Sequence, residues 1–215
     1  MKITILCSDV AHPVNVYLKR WVQQHEEVHQ IKLARSRLEL SGGDFLFLVS
    51  CSDIIKQEHR ARYRHILVLH ASDLPQGRGW SPHVWEIVHG AKEITLSLLE
   101  AENQVDTGRI WRKRVIPIEK TALWYEVNHS LFEAEMELMS EAIEPLSQID
   151  PKPQSGIAEP SYYRRRGPED SEINPEKSIS EQFDLLRMCD PDRYPAWCEI
   201  HGQKYKIVLE KLNDE

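Results

Sequence analysis

Short apolar runs alternate with segments of helical periodicity through the first two thirds of this 215-residue chain. The apolar runs have the length of strands and lie at residues 2–7, 44–49, 66–69, 94–99 and 110–116. Runs that are apolar on both faces are typical of central strands in a parallel sheet, because helices cover both sides of such a sheet. The pattern predicts an α/β fold, a Rossmann-like open, mostly parallel sheet with helices on both faces.

Three segments have the periodicity of amphipathic helices. Pro13 can begin the first, because proline lacks only an N–H that the start of a helix leaves unpaired. Ser81 and Pro82 begin a second helix, which Gly90 ends. The longest covers about residues 121–143, where apolar side chains recur at spacings of three and four. Helices and apolar runs therefore alternate, as in an α/β protein.

The composition changes near residue 150, where proline and polar residues form a stretch that is typical of a connector. We therefore predict a main domain over residues 1–150 and a small α+β extension over 151–215 that packs on it. Within the extension, residues 174–188 are predicted as a helix that Asn174 caps. Residues 197–212 are predicted as a closing hairpin.

Charge and cysteine usage narrow the class of protein. The formal net charge of −7 disfavours long nucleic acid as a partner. No apolar stretch approaches the ~18 residues of a membrane span, and the first residues lack the apolar core of a signal peptide. The cysteines form no Cys-x-x-Cys pair, so we expect reduced thiols, a cytoplasmic location and no membrane partner. They are Cys7, Cys51, Cys189 and Cys198.

A histidine and a carboxylate follow two of the predicted strands. His70 comes directly after the run 66–69, and Asp106 lies in an Asp-Thr-Gly turn after the run 94–99. Strand ends and nearby turns can converge on one pocket. Because histidine titrates near neutral pH and a carboxylate can orient it, the two residues are candidates for proton transfer.

The segment 70–110 resembles the 10-formyltetrahydrofolate-dependent formyltransferases. That family carries Asn-x-His-Pro-Ser-x-Leu-Pro, then Arg-Gly and Pro-x-x-Trp, then Asp-x-Gly. The run 163–171, with the Arg-Tyr-Pro-Ala of 193–196, is closest to the C-terminal part of the sugar-nucleotide N-formyltransferases. The matching residues of the main motif are His70, Ser72, Leu74, Pro75, Arg78, Gly79, Pro82, Trp85, Asp106 and Gly108.

The resemblance implies a formyltransferase catalytic domain over residues 1–150, with His70 and Asp106 as catalytic residues. It also implies 10-formyltetrahydrofolate as formyl donor. The residues that it assigns to folate binding are Ser50, Cys51, Ser52, Asp53, Ile54, Ile55 and Val105. The residues that it assigns to the acceptor substrate are Ser72, Arg78, Gly79, Trp80, Tyr163 and Arg165.

Two positions depart from the family pattern. Ala71 replaces the proline, and Val68 replaces the asparagine that in the family donates a hydrogen bond to the oxyanion. One such donor is commonly worth about 10²–10³ in rate. A valine side chain cannot donate, so Asn103 or a backbone N–H would have to take over, or catalysis is weakened or lost.

The resemblance predicts an N-formyltransferase that acts on a nucleotide-linked amino sugar, with a homodimer as one option. A second hypothesis is formylation of another amine, of the methionyl-tRNA or glycinamide ribonucleotide type, although the acidic charge disfavours transfer RNA. A third is a folate- or sugar-nucleotide-binding protein that lost catalysis with its asparagine.

One stretch matches a zinc motif in form. His25-Glu-Glu-Val-His29 reads His-Glu-x-x-His, which on a helix could place two imidazoles on zinc. No obvious third ligand accompanies it, and formyl transfer needs no metal. We therefore predict no metal site and interpret the stretch as a solvated helix end.

Overall fold

The computed structural model describes residues 1–144, 149–154 and 158–212. Its strands are β1 (Lys2–Leu6), β2 (Gln30–Ala34), β3 (Gly43–Leu48), β4 (Tyr63–His70), β5 (Arg78–Gly79), β6 (Glu93–Glu100), β7 (Ile110–Pro117), β8 (Tyr162–Tyr163), β9 (Ala196–Ile200) and β10 (Gln203–Ile207). Its helices are α1 (Val14–His25), α2 (Gln57–Arg60), α3 (Pro82–Val88), α4 (Trp124–Ile143) and α5 (Phe183–Arg187).

The main sheet has six strands in the order β2-β1-β3-β4-β6-β7. The first four in this order run parallel, while β6 and β7 are antiparallel to their neighbours. This confirms the predicted open, mostly parallel α/β sheet. Strand β2 was not predicted, because an edge strand with lysine and glutamine among its apolar residues has no continuous apolar run.

The two long helices pack on the same face of the sheet. Leu18 of α1 and Leu138 of α4 share one buried cluster with Ile5, Phe47 and Leu67 from three neighbouring strands. The other face is covered by loops and by the four-residue helix α2, and a smaller cluster forms there. The prediction of helices on both faces therefore holds only in this reduced form, because the connections on the second face are short.

Residues 158–212, called the tail below, contain the predicted hairpin, formed by β9 and β10 around His201 and Gly202. Both turn residues have positive φ, 51° and 77°, as a two-residue hairpin turn requires. The predicted helix from Asn174 is wrong in its extent, because only α5 and a 3-10 turn at Ser180–Gln182 form there. Asn174 instead closes a local turn by accepting a hydrogen bond from the Glu176 N–H at 2.8 Å.

The division into two domains stays a prediction, but the tail contacts the rest of the chain closely. Arg187 of α5 is buried and donates to the carbonyl oxygen of Ala122 at 3.0 Å, ahead of α4. None of the helices in the described ranges is long and apolar enough to cross a membrane.

Candidate active site

The side chains of His70 and Asp106 meet where β4 ends. His70 is the last residue of β4, and Asp106 lies in the turn that joins the adjacent β6 to β7. The His70 Nδ1 and the Asp106 Oδ1 are 3.6 Å apart, and both side chains are almost fully buried. This geometry suits a carboxylate that orients an imidazole and stabilises its charged form.

Backbone groups of the segment after β4 hold both side chains. The His70 Nε2 lies 2.9 Å from the Gly77 carbonyl oxygen, and the Asp106 Oδ2 accepts a hydrogen bond from the Gly79 N–H at 2.9 Å. Gly77 has φ +70°, and a Cβ there would come within 2.8 Å of the Ser72 Cβ. The family motif thus encodes a tight loop that fixes the orientation of the imidazole and the carboxylate.

Residues of the tail also form hydrogen bonds with this loop. The pairing of β5 with β8 places Ser161 and Tyr163 against it. The Gly77 N–H donates to the Ser161 hydroxyl at 2.8 Å, and the Trp80 N–H donates to the Tyr163 carbonyl oxygen at 3.1 Å. The loop that contacts His70 is therefore held from both sides by distant segments of the chain.

The residues expected to bind folate follow β3 and precede Asp106. The Ser52 N–H donates a hydrogen bond to the Ser8 hydroxyl, and the Asp53 carboxylate accepts one from the Arg37 N–H at 3.1 Å. These hydrogen bonds fix the loop after β3 to its neighbours. The Ile55 side chain is buried, and burial also raises the pKa of the Cys51 thiol to about 11.

Two apolar side chains in these loops are exposed instead. Ile54 is 65% exposed and Val105 is 60% exposed. The two loops lie close together, because Cys51, Ile55 and Ala101 pack on one apolar cluster. Exposed apolar side chains on adjoining loops suit a flat heteroaromatic ring such as a pterin.

The residues expected to bind the acceptor divide into buried and exposed groups. Ser72 is fully buried. Arg78 is buried as well, and its guanidinium donates to Gln154 at 2.7 Å and to the Tyr162 hydroxyl at 3.1 Å. These contacts involve its two terminal nitrogens, whereas its Nε has no hydrogen-bond partner among the described residues. The assignment of Arg78 to the acceptor site stays a prediction.

The three arginines of the run in the tail have different partners. Arg164 pairs with Asp170, with one N–O distance of 2.7 Å, and Arg166 donates to the carbonyl oxygen of Asp170. Arg165 is different, because it lies over the exposed ring of Trp80, 5.1 Å from the centroid, and has no ion-pair partner among the described residues. Trp80 itself is 46% exposed and directly follows Gly79.

Position 68 offers no donor to the site. Val68 lies two residues before His70 in β4, on the same face of the strand, and packs with Leu74, Leu99 and Ile110. Asn103, one of the suggested replacements, accepts a hydrogen bond from Arg60 through its side-chain oxygen.

Sequence reasoning missed two titratable groups of α3 that lie near the site. Burial raises the pKa of Glu86 to about 7, and Asp73 adds to the effect. Burial, with His70, His12 and Arg166 nearby, lowers the pKa of His83 to about 4. Both residues lie within a predicted helix, where nothing in the sequence distinguished them from surface positions.

The profile of the formyl transferase family matches residues 7–143. The chain belongs to this family, which confirms the resemblance that the motif of residues 70–110 predicted. The methionyl-tRNA formyltransferase of Thermodesulfovibrio yellowstonii is 28% identical over 180 residues, which cover 82% of this chain and 57% of that protein. The chain spans about half the length of the curated relatives it matches.

Solved structures share the fold at lower identity. Methionyl-tRNA formyltransferase from Clostridium thermocellum has a TM-score of 0.81 at 24% identity, covering 99% of this chain and 94% of that one. HypX from Aquifex aeolicus in complex with tetrahydrofolic acid has 0.80 at 20%, covering 97% and 37%. A sugar N-formyltransferase from a Shewanella species has 0.73 at 15%, covering 100% and 99%.

Proposed function

We propose that this chain transfers a formyl group from 10-formyltetrahydrofolate to a primary amine, with His70 and Asp106 as the catalytic residues. The observation that carries the proposal is the pair itself: an imidazole and a carboxylate 3.6 Å apart, buried together at the end of β4. Such an arrangement can move one proton near neutral pH.

The reaction needs one proton acceptor and one proton donor. The amine nitrogen attacks the formyl carbon, a new C–N bond forms, and the carbonyl electron pair moves onto oxygen. His70 takes a proton from the amine nitrogen, and Asp106 stabilises the imidazolium that results. When the intermediate collapses, the bond to N10 of the folate breaks, N10 receives the proton, and tetrahydrofolate leaves beside the new formamide.

Three features support folate as the donor. The family match covers residues 7–143, which include both candidate catalytic residues. A structure with the same fold contains tetrahydrofolic acid. Ile54 and Val105 also expose apolar side chains on adjoining loops, where they can contact the faces of a pterin ring.

For the acceptor we propose a nucleotide-linked amino sugar. Trp80 and Arg165 form an exposed aromatic and cationic pair beside Gly79, whose N–H holds the Asp106 carboxylate. An indole ring can stack on a planar base or a sugar, and a guanidinium can bond a diphosphate. The net charge of −7 makes such a local cation necessary for an anionic acceptor.

Methionyl-tRNA is the second candidate acceptor. It is favoured by the names of the curated relatives, which are methionyl-tRNA formyltransferases at 26–29% identity. The acidic net charge disfavours methionyl-tRNA as the acceptor, because binding to transfer RNA requires a basic surface.

The test is release of tetrahydrofolate from 10-formyltetrahydrofolate in the presence of one amine at a time. The panel contains uridine- and thymidine-diphosphate amino sugars, methionyl-tRNA and glycinamide ribonucleotide. We expect turnover with an amino-sugar nucleotide. Turnover only with methionyl-tRNA would replace the proposed acceptor, and folate binding without transfer to any amine would favour the binding protein that lost catalysis at Val68.

A further inference from the structure

The segment that the composition identified as a connector returns to the candidate active site. Lys152 pairs with Ile110 at the start of β7 through two backbone hydrogen bonds, of 2.8 and 2.9 Å. This pairing brings the following residues alongside the turn that carries Asp106. The segment is therefore fixed on the sheet before it reaches Gln154.

Gln154 is buried and makes three hydrogen bonds. Its amide nitrogen donates to the carbonyl oxygens of Asp106 at 3.0 Å and of Gly108 at 2.8 Å. Its amide oxygen accepts from the Arg78 guanidinium at 2.7 Å. The side chain thus uses both of its N–H groups and its oxygen within the protein.

These bonds close a ring of contacts around the candidate catalytic carboxylate. Gln154 accepts a hydrogen bond from Arg78, and the residue after Arg78, Gly79, donates its N–H to the Asp106 Oδ2. The Asp106 carbonyl oxygen in turn accepts a hydrogen bond from the Gln154 amide, which closes the ring. Every group in the ring is buried or half-buried. The position of the carboxylate therefore depends on a side chain from outside the segment that carries the family motif.

The Asp106 backbone needs such support. Its φ of +58° lies in the left-handed region, which costs a non-glycine residue roughly 1 kcal/mol or more. A residue in that conformation keeps it only when its surroundings hold it there. The amide of Gln154 binds the carbonyl oxygens on both sides of Thr107 and so fixes the turn.

We propose that Gln154 is a positioning residue, which holds the Asp106 turn so that the carboxylate faces the His70 imidazole. The proposal rests on the formyl-transfer function proposed above for its catalytic consequence. It also gives the segment after residue 150 a part in the site, in addition to a connecting one.

The first test is kinetic. Gln154→Leu keeps a similar volume and removes all three hydrogen bonds. We expect kcat for formyl transfer to fall by roughly ten- to a hundredfold, since small misplacements of catalytic groups have effects of this size. The KM for 10-formyltetrahydrofolate should change much less than kcat, because the loop after β3 keeps its own hydrogen bonds to Ser8 and Arg37.

The control is Ser140→Ala, which removes the hydrogen bond from the Trp21 indole at 2.9 Å between α1 and α4. This variant should lower the unfolding temperature without changing kcat. A folded Gln154→Leu variant with wild-type kcat would overturn the proposal.

The second test requires no activity. The Gly79 amide donates to the Asp106 carboxylate, and the adjacent Trp80 amide donates to Tyr163. In Gln154→Leu, hydrogen exchange of the Gly79 amide should accelerate at least tenfold, while that of Trp80 stays close to the wild type. If exchange of the Gly79 amide accelerates in the variant but the wild type formylates no amine, the positioning role stands and the proposed function fails. If the wild type and the variant formylate an amine equally well and Gly79 exchange is unchanged, the positioning role fails and the function stands.

Gln154→Glu covers the case in which the leucine variant does not fold. It retains an acceptor for Arg78 but places carboxylate oxygens against the carbonyl oxygens of Asp106 and Gly108. The Arg78 guanidinium keeps this carboxylate charged, so it cannot donate to either carbonyl oxygen. We expect kcat to fall at least as far as in Gln154→Leu, and a folded Gln154→Glu variant with wild-type kcat would contradict the role of the donor.

Discussion

Two carboxyl groups in this fold are equally buried and have opposite surroundings. Asp106 is 8% exposed, accepts a hydrogen bond from the Gly79 N–H and faces His70. Glu135, in the middle of α4, is 5% exposed, and its Oε2 has no hydrogen-bond partner in the part of the chain that the structure describes. Burial raises the pKa of Glu135 to about 8.

The difference shows that burial alone does not make a carboxyl group useful. A carboxylate with donors and a cationic neighbour can stay charged in the interior, whereas one without them is neutralised by a proton. The same distinction applies on the surface of the tail. Arg164 is held by Asp170, while Arg165 is left to face solvent beside Trp80.

The largest effect on kcat should come from changing the partnered carboxylate, Asp106. Asp106→Asn keeps an acceptor for the Gly79 N–H but removes the negative charge opposite the His70 Nδ1. We expect kcat to fall by about 10²–10⁴, and His70→Ala to do the same. Because the two act as a unit, the double variant should be little worse than the worse single one. Steady-state kinetics with the best acceptor amine measures this.

Asp184→Asn is the matched control, since it removes the charge of a carboxylate that pairs with Arg187 in α5, outside the site. Its kcat should equal that of the wild type. Near-normal turnover of His70→Ala would exclude the pair from the mechanism.

The sequence predicted the partnered pair through the family motif, which includes both residues. Strand order alone would not bring them together, because β6 runs antiparallel to β4 and the two strands end at opposite edges of the sheet. The loop between β6 and β7 brings Asp106 back to His70. The motif also contains the glycines that permit the tight loop around Gly77. The main sheet was predictable because its central strands are continuous apolar runs.

The remaining features depend on contacts between distant segments. Gln154 lies in a proline-rich stretch, so nothing local indicates that it binds the Asp106 turn. The pairing of Arg164 with Asp170 depends on how the chain turns after Gly167. Glu135 could have been recognised, because it lies four residues after Leu131 and three before Leu138, on the apolar stripe of its helix.

A second prediction concerns the unpartnered carboxyl group. The folded pKa of about 8 lies above the usual value of 4.5, so the folded state binds an extra proton between these pH values. The stabilising contribution is complete below about pH 4.5 and is lost as pH rises to about 8. Glu135→Gln should abolish this loss and raise the free energy of unfolding at pH 9 by on the order of a few kcal/mol, since one pKa unit is about 1.4 kcal/mol.

Denaturant unfolding of both proteins at intervals from pH 5 to pH 9 measures the effect. Glu137→Gln on the same helix is the control, because that exposed side chain pairs with Arg114 and should change stability by less than about 1 kcal/mol. Equal pH dependence in the wild type and in Glu135→Gln would mean that Glu135 has a partner after all.

The smallest effect should separate the two arginines of the tail. If Arg165 is the available cation, Arg165→Ala should raise the KM for an amino-sugar nucleotide about tenfold, the value of one charge-assisted hydrogen bond of roughly 1.5 kcal/mol. Arg164→Ala should leave that KM within about twofold, because Asp170 already neutralises Arg164. Calorimetry with uridine and thymidine diphosphates should give the same order of affinities. Equal losses in the two variants would show that the ion pair does not decide which arginine is available, and no loss in either would remove the basic run from the acceptor site.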